Sequence, residues 1–175
     1  MLTWTTHRLN ANSIPITTWA LYELIQQPAL WKAVQDEAET VFETDSRGGR
    51  VLNMQRMLGL PLLQSVYAET LRMHVAVNIT REVIGEITLA GYPLTRNSLI
   101  MAPTWIAHSN EKVWGVDNHP ASEFWAYRHI RCSGVEGGEG EEKQKMEFAV
   151  PVGPNDFFPY GKLYALMPGT KRTIV

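Results

Sequence analysis

The sequence predicts a mainly α-helical chain with short β-strands, an α+β class, and three observations carry this. Apolar residues recur at three- and four-residue spacing up to His74. Beyond it the spacing changes to two, in Val77, Ile79, Arg81 and Val83. The 175 residues are 45% hydrophobic and 19% charged, enough to bury a core without a disulfide or structural metal.

Taken in order, Trp19-Ala-Leu-Tyr-Glu-Leu-Ile25 reads as the end of a largely apolar helix stopped by Pro28. Leu30, Val34, Ala38 and Val41 then trace one face of an amphipathic helix, with Lys32, Asp36, Glu37 and Glu39 on the others. Asp45-Ser-Arg-Gly-Gly49 closes it as a loop. Pro61 suits a first helical position and opens a helix to about His74, with Leu63, Val66, Tyr67, Thr70 and Leu71 on its apolar side. Ile87 and Leu89 mark a short strand, Gly91-Tyr-Pro93 a turn, and Leu99-Ile-Met101 a strand ended by Pro103. Turn residues dominate 117–120, and residues 133–145, rich in Gly and Glu, read as an exposed loop.

The 16 basic and 18 acidic residues leave a net charge of −2, so no basic surplus exists to hold a nucleic acid. Cys132 is the single cysteine, which excludes an internal disulfide and any Cys-rich zinc or iron–sulfur site. No two of the five histidines are three or four residues apart, and no nucleophile elbow, P-loop or dinucleotide fingerprint occurs. The N-terminus lacks a signal-peptide apolar block, and the uncharged run 9–22 is shorter than the about 20 apolar residues of a membrane span.

One constellation stands out. Glu69-Thr-Leu-Arg72 places an acid and a base on one helix face. As a surface pair it contributes about 0.2–0.5 kcal/mol and signifies little. Downstream come His108-Ser-Asn-Glu-Lys-Val-Trp114, Phe124-Trp-Ala-Tyr-Arg128, Phe158-Pro-Tyr-Gly161 and Pro168-Gly169. In this order the segments resemble the cytochrome P450 family: the E-x-x-R helix, the His-to-Trp run, the aromatic-x-x-x-Arg segment and the haem-binding loop.

The resemblance implies a haem-dependent monooxygenase acting on a small lipophilic substrate, with electrons from an NADPH–P450 reductase. Glu69, Arg72 and Arg128 would form a structural triad, an arginine fork on a carboxylate joined by a second arginine. Tyr160, Gly161 and Gly169 would line the haem loop. Arg81 would bind a haem propionate; a solvated strand arginine is an equal reading. Ala11-Asn-Ser-Ile-Pro15 is similar to the oxygen-pocket part of the central helix, in the form found in the prostacyclin synthase and sterol 7α-hydroxylase group and in many fungal secondary-metabolism members. That gives Asn12 and Pro15 the oxygen-pocket position; an N-terminal loop before a capped helix fits residues 11–19 as well.

The pattern breaks at the iron. The axial cysteine's slot holds Met167, Leu163 replaces a turn glycine, and Ala165 stands where a polar or basic residue is usual. A thiolate donates electron density that favours O–O cleavage, whereas a thioether raises the potential. Against the family pattern, 1–175 is expected to be a partial P450 domain, incomplete at both ends. A full-length relative would sit at the endoplasmic reticulum membrane; no anchor is expected in this chain, which would be soluble or aggregated as it stands. The rival expectation is a non-catalytic remnant that binds no haem.

Overall fold

The computed structural model describes residues 3–116, 118–135, 143–150, 153, 156–159 and 170–172. Helix α1 (Thr3–Gln26) leads into α2 (Pro28–Glu39), then a hairpin of β1 (Phe42–Thr44) and β2 (Arg50–Leu52). After the short α3 (Met54–Met57) comes α4 (Pro61–His74). Strands β3 (Asn78–Val83), β4 (Ile87–Leu89), β5 (Tyr92–Leu94) and β6 (Leu99–Pro103) follow. Short helices α5 (Thr104–His108) and α6 (Glu111–Trp114) precede a 3₁₀ turn (Ala126–His129). Strands β7 (Ile130–Val135), β8 (Lys143–Phe148) and β9 (Thr170–Arg172) complete the described elements. The mixture of helices and short strands is the class predicted.

Residues 11–19 are helical, so the loop reading does not hold; α1 runs through Pro15. Proline removes one backbone donor there. One turn on, the Thr17 and Thr18 hydroxyls donate to the Ser13 and Ile14 carbonyls at 2.8 and 2.9 Å. Helix α2 ends at Glu39, and Val41 is buried just past it, its amide bonded to Ala38 O.

Helix α4 is buried on more than one side, which shifts the expected face: Leu62 is buried while Tyr67 is 46% exposed. Glu37 of α2 anchors its start, the two carboxylate oxygens accepting the Leu62 and Leu63 amides at 2.8 and 2.9 Å. Leu24, Leu30, Val34, Leu62, Val66, Phe124 and Ala126 form one apolar core joining α1, α2, α4 and the segment before Arg128. At the far end of α4, His74 stacks on Trp19 with ring centroids 4.2 Å apart. Its Nε2 lies 2.8 Å from Glu23 Oε1.

Two turn expectations are corrected. Tyr92 and Pro93 lie in β5, paired with Leu89 and Thr88, and the turn is Ala90-Gly91. Both turn residues take positive φ, 50° and 85°, as a two-residue hairpin loop needs. Within 133–145, Ser133 to Val135 pair with Lys145 to Lys143, so the ends of the expected loop are strand. Strand β3 is central in its sheet, antiparallel to β6 and β9. Among the described residues no helix is long and apolar enough to cross a membrane.

Candidate functional site

Glu69 stands at the centre of a buried polar cluster, its side chain fully enclosed. Arg72, one turn further along α4, grips both carboxylate oxygens: Nε donates to Oε2 at 2.8 Å and Nη2 to Oε1 at 2.9 Å. Arg128, on the 3₁₀ turn, donates Nε to Oε1 at 2.9 Å. The Trp125 amide reaches Oε1 at 3.2 Å, and His129 Nε2 lies 3.1 Å from Oε2. The three triad residues therefore meet, and the isolated surface-pair reading of Glu69 and Arg72 is replaced by a buried one. The ring that brings them together is α4 packed against the 126–129 turn, where Ser65 Oγ donates to the Ala126 carbonyl.

Burial pushes the Glu69 carboxyl upward. The hydrogen bonds of Arg72, His129 and Arg128, with the Arg72 charge, overcome it and hold the group at about 2. One carboxylate thus sits with two guanidinium ions, and carbonyl dipoles take up the rest of the positive charge. Arg72 Nη1 donates to His108 O at 2.6 Å, and Nη2 to Glu123 O at 3.3 Å. Arg128 gathers the loop before it. Nη1 donates to the Trp114 carbonyl and to His119 O at 3.5 Å, and Nη2 to Pro120 O and Glu123 O, both at 3.1 Å. Trp114 is buried beside them, its Nε1 donating to Ala107 O at 2.9 Å. Chemically the Glu69 carboxylate, engaged by these donors, is no free base. The cluster fixes the 114–128 loop, α5 and α4 in one arrangement.

Two histidines join the cluster that the motif reading did not assign. His129 follows Arg128 directly, and adjacency to the aromatic-x-x-x-Arg segment was the only signal for it. His108, first residue of the His-to-Trp run, is buried with Nε2 3.2 Å from the Phe158 amide. Burial and the nearby Arg72 charge push His108 down to about 4.

The remaining predicted positions do not join this cluster. Arg81 on β3 is half-buried and turns Nη1 onto its neighbour's carbonyl, Thr80 O, at 2.8 Å. Pro15 is exposed on α1, and Asn12 lies in the same helix with its side chain outside the described residues. Tyr160, Gly161, Met167 and Gly169 lie outside the described residues. Beside α4 are two apolar clefts of about 440 Å³ each. One lies between Tyr67, Leu71, Phe148 and Phe158, the other between Ile16, Ala20, Leu63 and Tyr67.

A thiolate-ligated haem, as the resemblance implies, needs one cysteine facing an enclosed cavity. Cys132, the one thiol, is exposed on β7 opposite Met146. The two buried imidazoles each have Nε2 engaged, by the Phe158 amide and by Glu69. Among the described residues the donor set does not fit a thiolate-ligated haem.

A cytochrome P450 family model matches residues 12–122, more than half of the chain. Cytochrome P450 monooxygenase calL of Penicillium decumbens is 45% identical over 161 residues, which cover 91% of this chain and 28% of that protein. Cytochrome P450 monooxygenase efuG of Hormonema carpetanum is 30% identical over 188 residues, covering 95% of this chain and 33% of that protein. The ent-sandaracopimaradiene 3-hydroxylase of rice, Oryza sativa, is 31% identical over 59% of this chain and 20% of its own length. The chain thus spans a third or less of the length of these relatives. With the family model matching across the Glu69–Arg72 helix and the His108–Trp114 run, the chain belongs to the cytochrome P450 family, whose cofactor is haem.

Proposed function

We propose that this chain is scaffold from a haem-dependent monooxygenase of small lipophilic metabolites, and that as it stands it does not form the thiolate–iron centre. The observation that carries the first half is Glu69, buried and held by Arg72, Arg128, His129 and the Trp125 amide. Desolvated charges of this kind add little net stability, so their use is to fix geometry. Here they hold the loop and helices against which the haem loop of such an enzyme rests. The fungal monooxygenases among the relatives support a secondary-metabolite substrate; an NADPH–P450 reductase as electron donor and the endoplasmic reticulum as the site of a full-length relative belong to the same proposal. In this reading residues 1–175 are a partial P450 domain, Arg81 faces a propionate, and Asn12 and Pro15 belong to the oxygen pocket.

The second half rests on Met167 in the thiolate's slot and on the exposed Cys132. It makes the chain itself a non-catalytic relative. The purified chain, supplied with haem, reduced and exposed to carbon monoxide, is expected to lack the red-shifted band of thiolate ligation. Met167→Cys alone is expected not to create it, because Leu163 and Ala165 also depart from the loop pattern. A thiolate-type band from the native chain overturns the non-catalytic reading. The same band from Met167→Cys reduces the defect to one position.

A further inference from the structure

The buried cluster has an outward arm that the triad does not explain. His108 ends α5 and is 1% exposed. Its backbone carbonyl accepts Arg72 Nη1 at 2.6 Å, which ties α5 to the carboxylate cluster. Its ring, on the opposite errand, lies with Nε2 3.2 Å from the backbone nitrogen of Phe158, fifty positions along the chain. An amide nitrogen can only donate, so Nε2 must hold a lone pair. In the neutral ring the proton is therefore on Nδ1, and that atom is buried without a hydrogen-bond partner among the described residues. The orphaned Nδ1 is what a tautomer imposed from the other side of the ring leaves behind.

We propose that His108 is a positioning residue, a latch in the Nδ1–H tautomer that holds the Phe157–Phe158–Pro159 segment against the Glu69–Arg72 cluster. The rings of Phe157 and Phe158 both lie 5.5 Å from the imidazole, so the amide bond and aromatic packing act at one point. Phe158 is buried, and Phe158-Pro-Tyr-Gly161 begins the stretch that is similar to the haem loop. Movement of α4 or α5 is thereby passed to the chain leading into that loop. That last link rests on the function proposed above; the latch rests only on the described residues.

Nitrogen-15 spectra of the chain test it. The His108 ring is expected to show a protonated Nδ1 and an unprotonated Nε2, and the Phe158 amide to exchange slowly with solvent. His108→Phe keeps a ring but removes the acceptor, and should speed Phe158 exchange by about tenfold or more. His108→Gln, whose side-chain carbonyl can reach the same amide, should restore protection, which a purely space-filling role would not. An Nε2–H ring in the native chain, or Phe158 protection equal in His108→Phe and native protein, overturns the latch. If His108→Phe does not fold, the native ring shifts and His108→Gln still decide. The carbon monoxide spectrum judges the cofactor reading separately, so either can fail alone.

Discussion

Arg128 uses all five of its N–H groups: Nε on Glu69, Nη1 on the Trp114 and His119 carbonyls, Nη2 on those of Pro120 and Glu123. A lysine has three donors at a single point and cannot span this arc. Arg128→Lys is therefore expected to destabilise nearly as much as Arg128→Ala, measured by urea midpoint; recovery of most of the stability by lysine would show that charge alone matters. Arg72→Ala removes the bidentate grip on Glu69 and leaves the buried His108 carbonyl without its donor, so a loss of about 3–5 kcal/mol is expected. Lys32→Ala, at a pair whose side chains are 70% and 59% exposed, is the control and should change stability by about 0.5 kcal/mol or less. Equal effects of the two would reduce the Glu69–Arg72 pair to a surface contact. The sequence showed that Glu69 and Arg72 share a helix face, because three-residue spacing fixes that. It did not show His129 or the Trp125 amide as partners of Glu69, or the His108 carbonyl as a partner of Arg72, since these meet only through chain separations that no local pattern encodes.

At the scale of elements, the start of α4 was legible in Pro61 but its capping was not. Leu60 precedes the helix with no side chain to accept an amide, and the cap comes from Glu37 on another helix. A carboxylate there both satisfies two orphaned donors and opposes the positive end of the helix dipole. Glu37→Ala should cost about 1–2 kcal/mol, with Glu37→Gln intermediate. A thermal midpoint unchanged in Glu37→Ala would mean that solvent caps α4 as well as the carboxylate does. Periodicity found α2, α4, β3 and β6 because each buries one consistent set of positions. It missed the β1–β2 hairpin, whose strands are three residues long and mostly exposed, leaving little apolar alternation to read. The β5 misreading has a similar source: Pro93 signals a turn, yet on a two-stranded ribbon proline needs only one free edge.

For the molecule as a whole, two buried groups set the direction of its response to acid. His108 titrates at about 4 instead of 6.5, and Glu69 at about 2 instead of 4.5. Both folded-state values are lowered, so between each pair of values the unfolded chain binds more protons than the folded one. Stability therefore rises with pH through both windows. Coming down from neutral pH, His108 first withdraws stability between 6.5 and about 4, and Glu69 then does so between 4.5 and about 2. The urea midpoint of the native chain is expected to be level above the first window and to fall steadily through both. His108→Gln removes the titrating ring and should flatten only the upper part of the decline. Glu69→Gln should flatten only the lower part, from a much reduced starting stability, since two buried guanidinium ions lose their counter-charge. A native midpoint level between 6.5 and 4 would show that His108 takes up its proton without leaving the fold. The ring would then have to release the Phe158 amide while Arg72 stays close by. The order of the two windows follows from the ordinary values of the groups, 6.5 for the imidazole and 4.5 for the carboxyl, because their surroundings lower both by a similar amount.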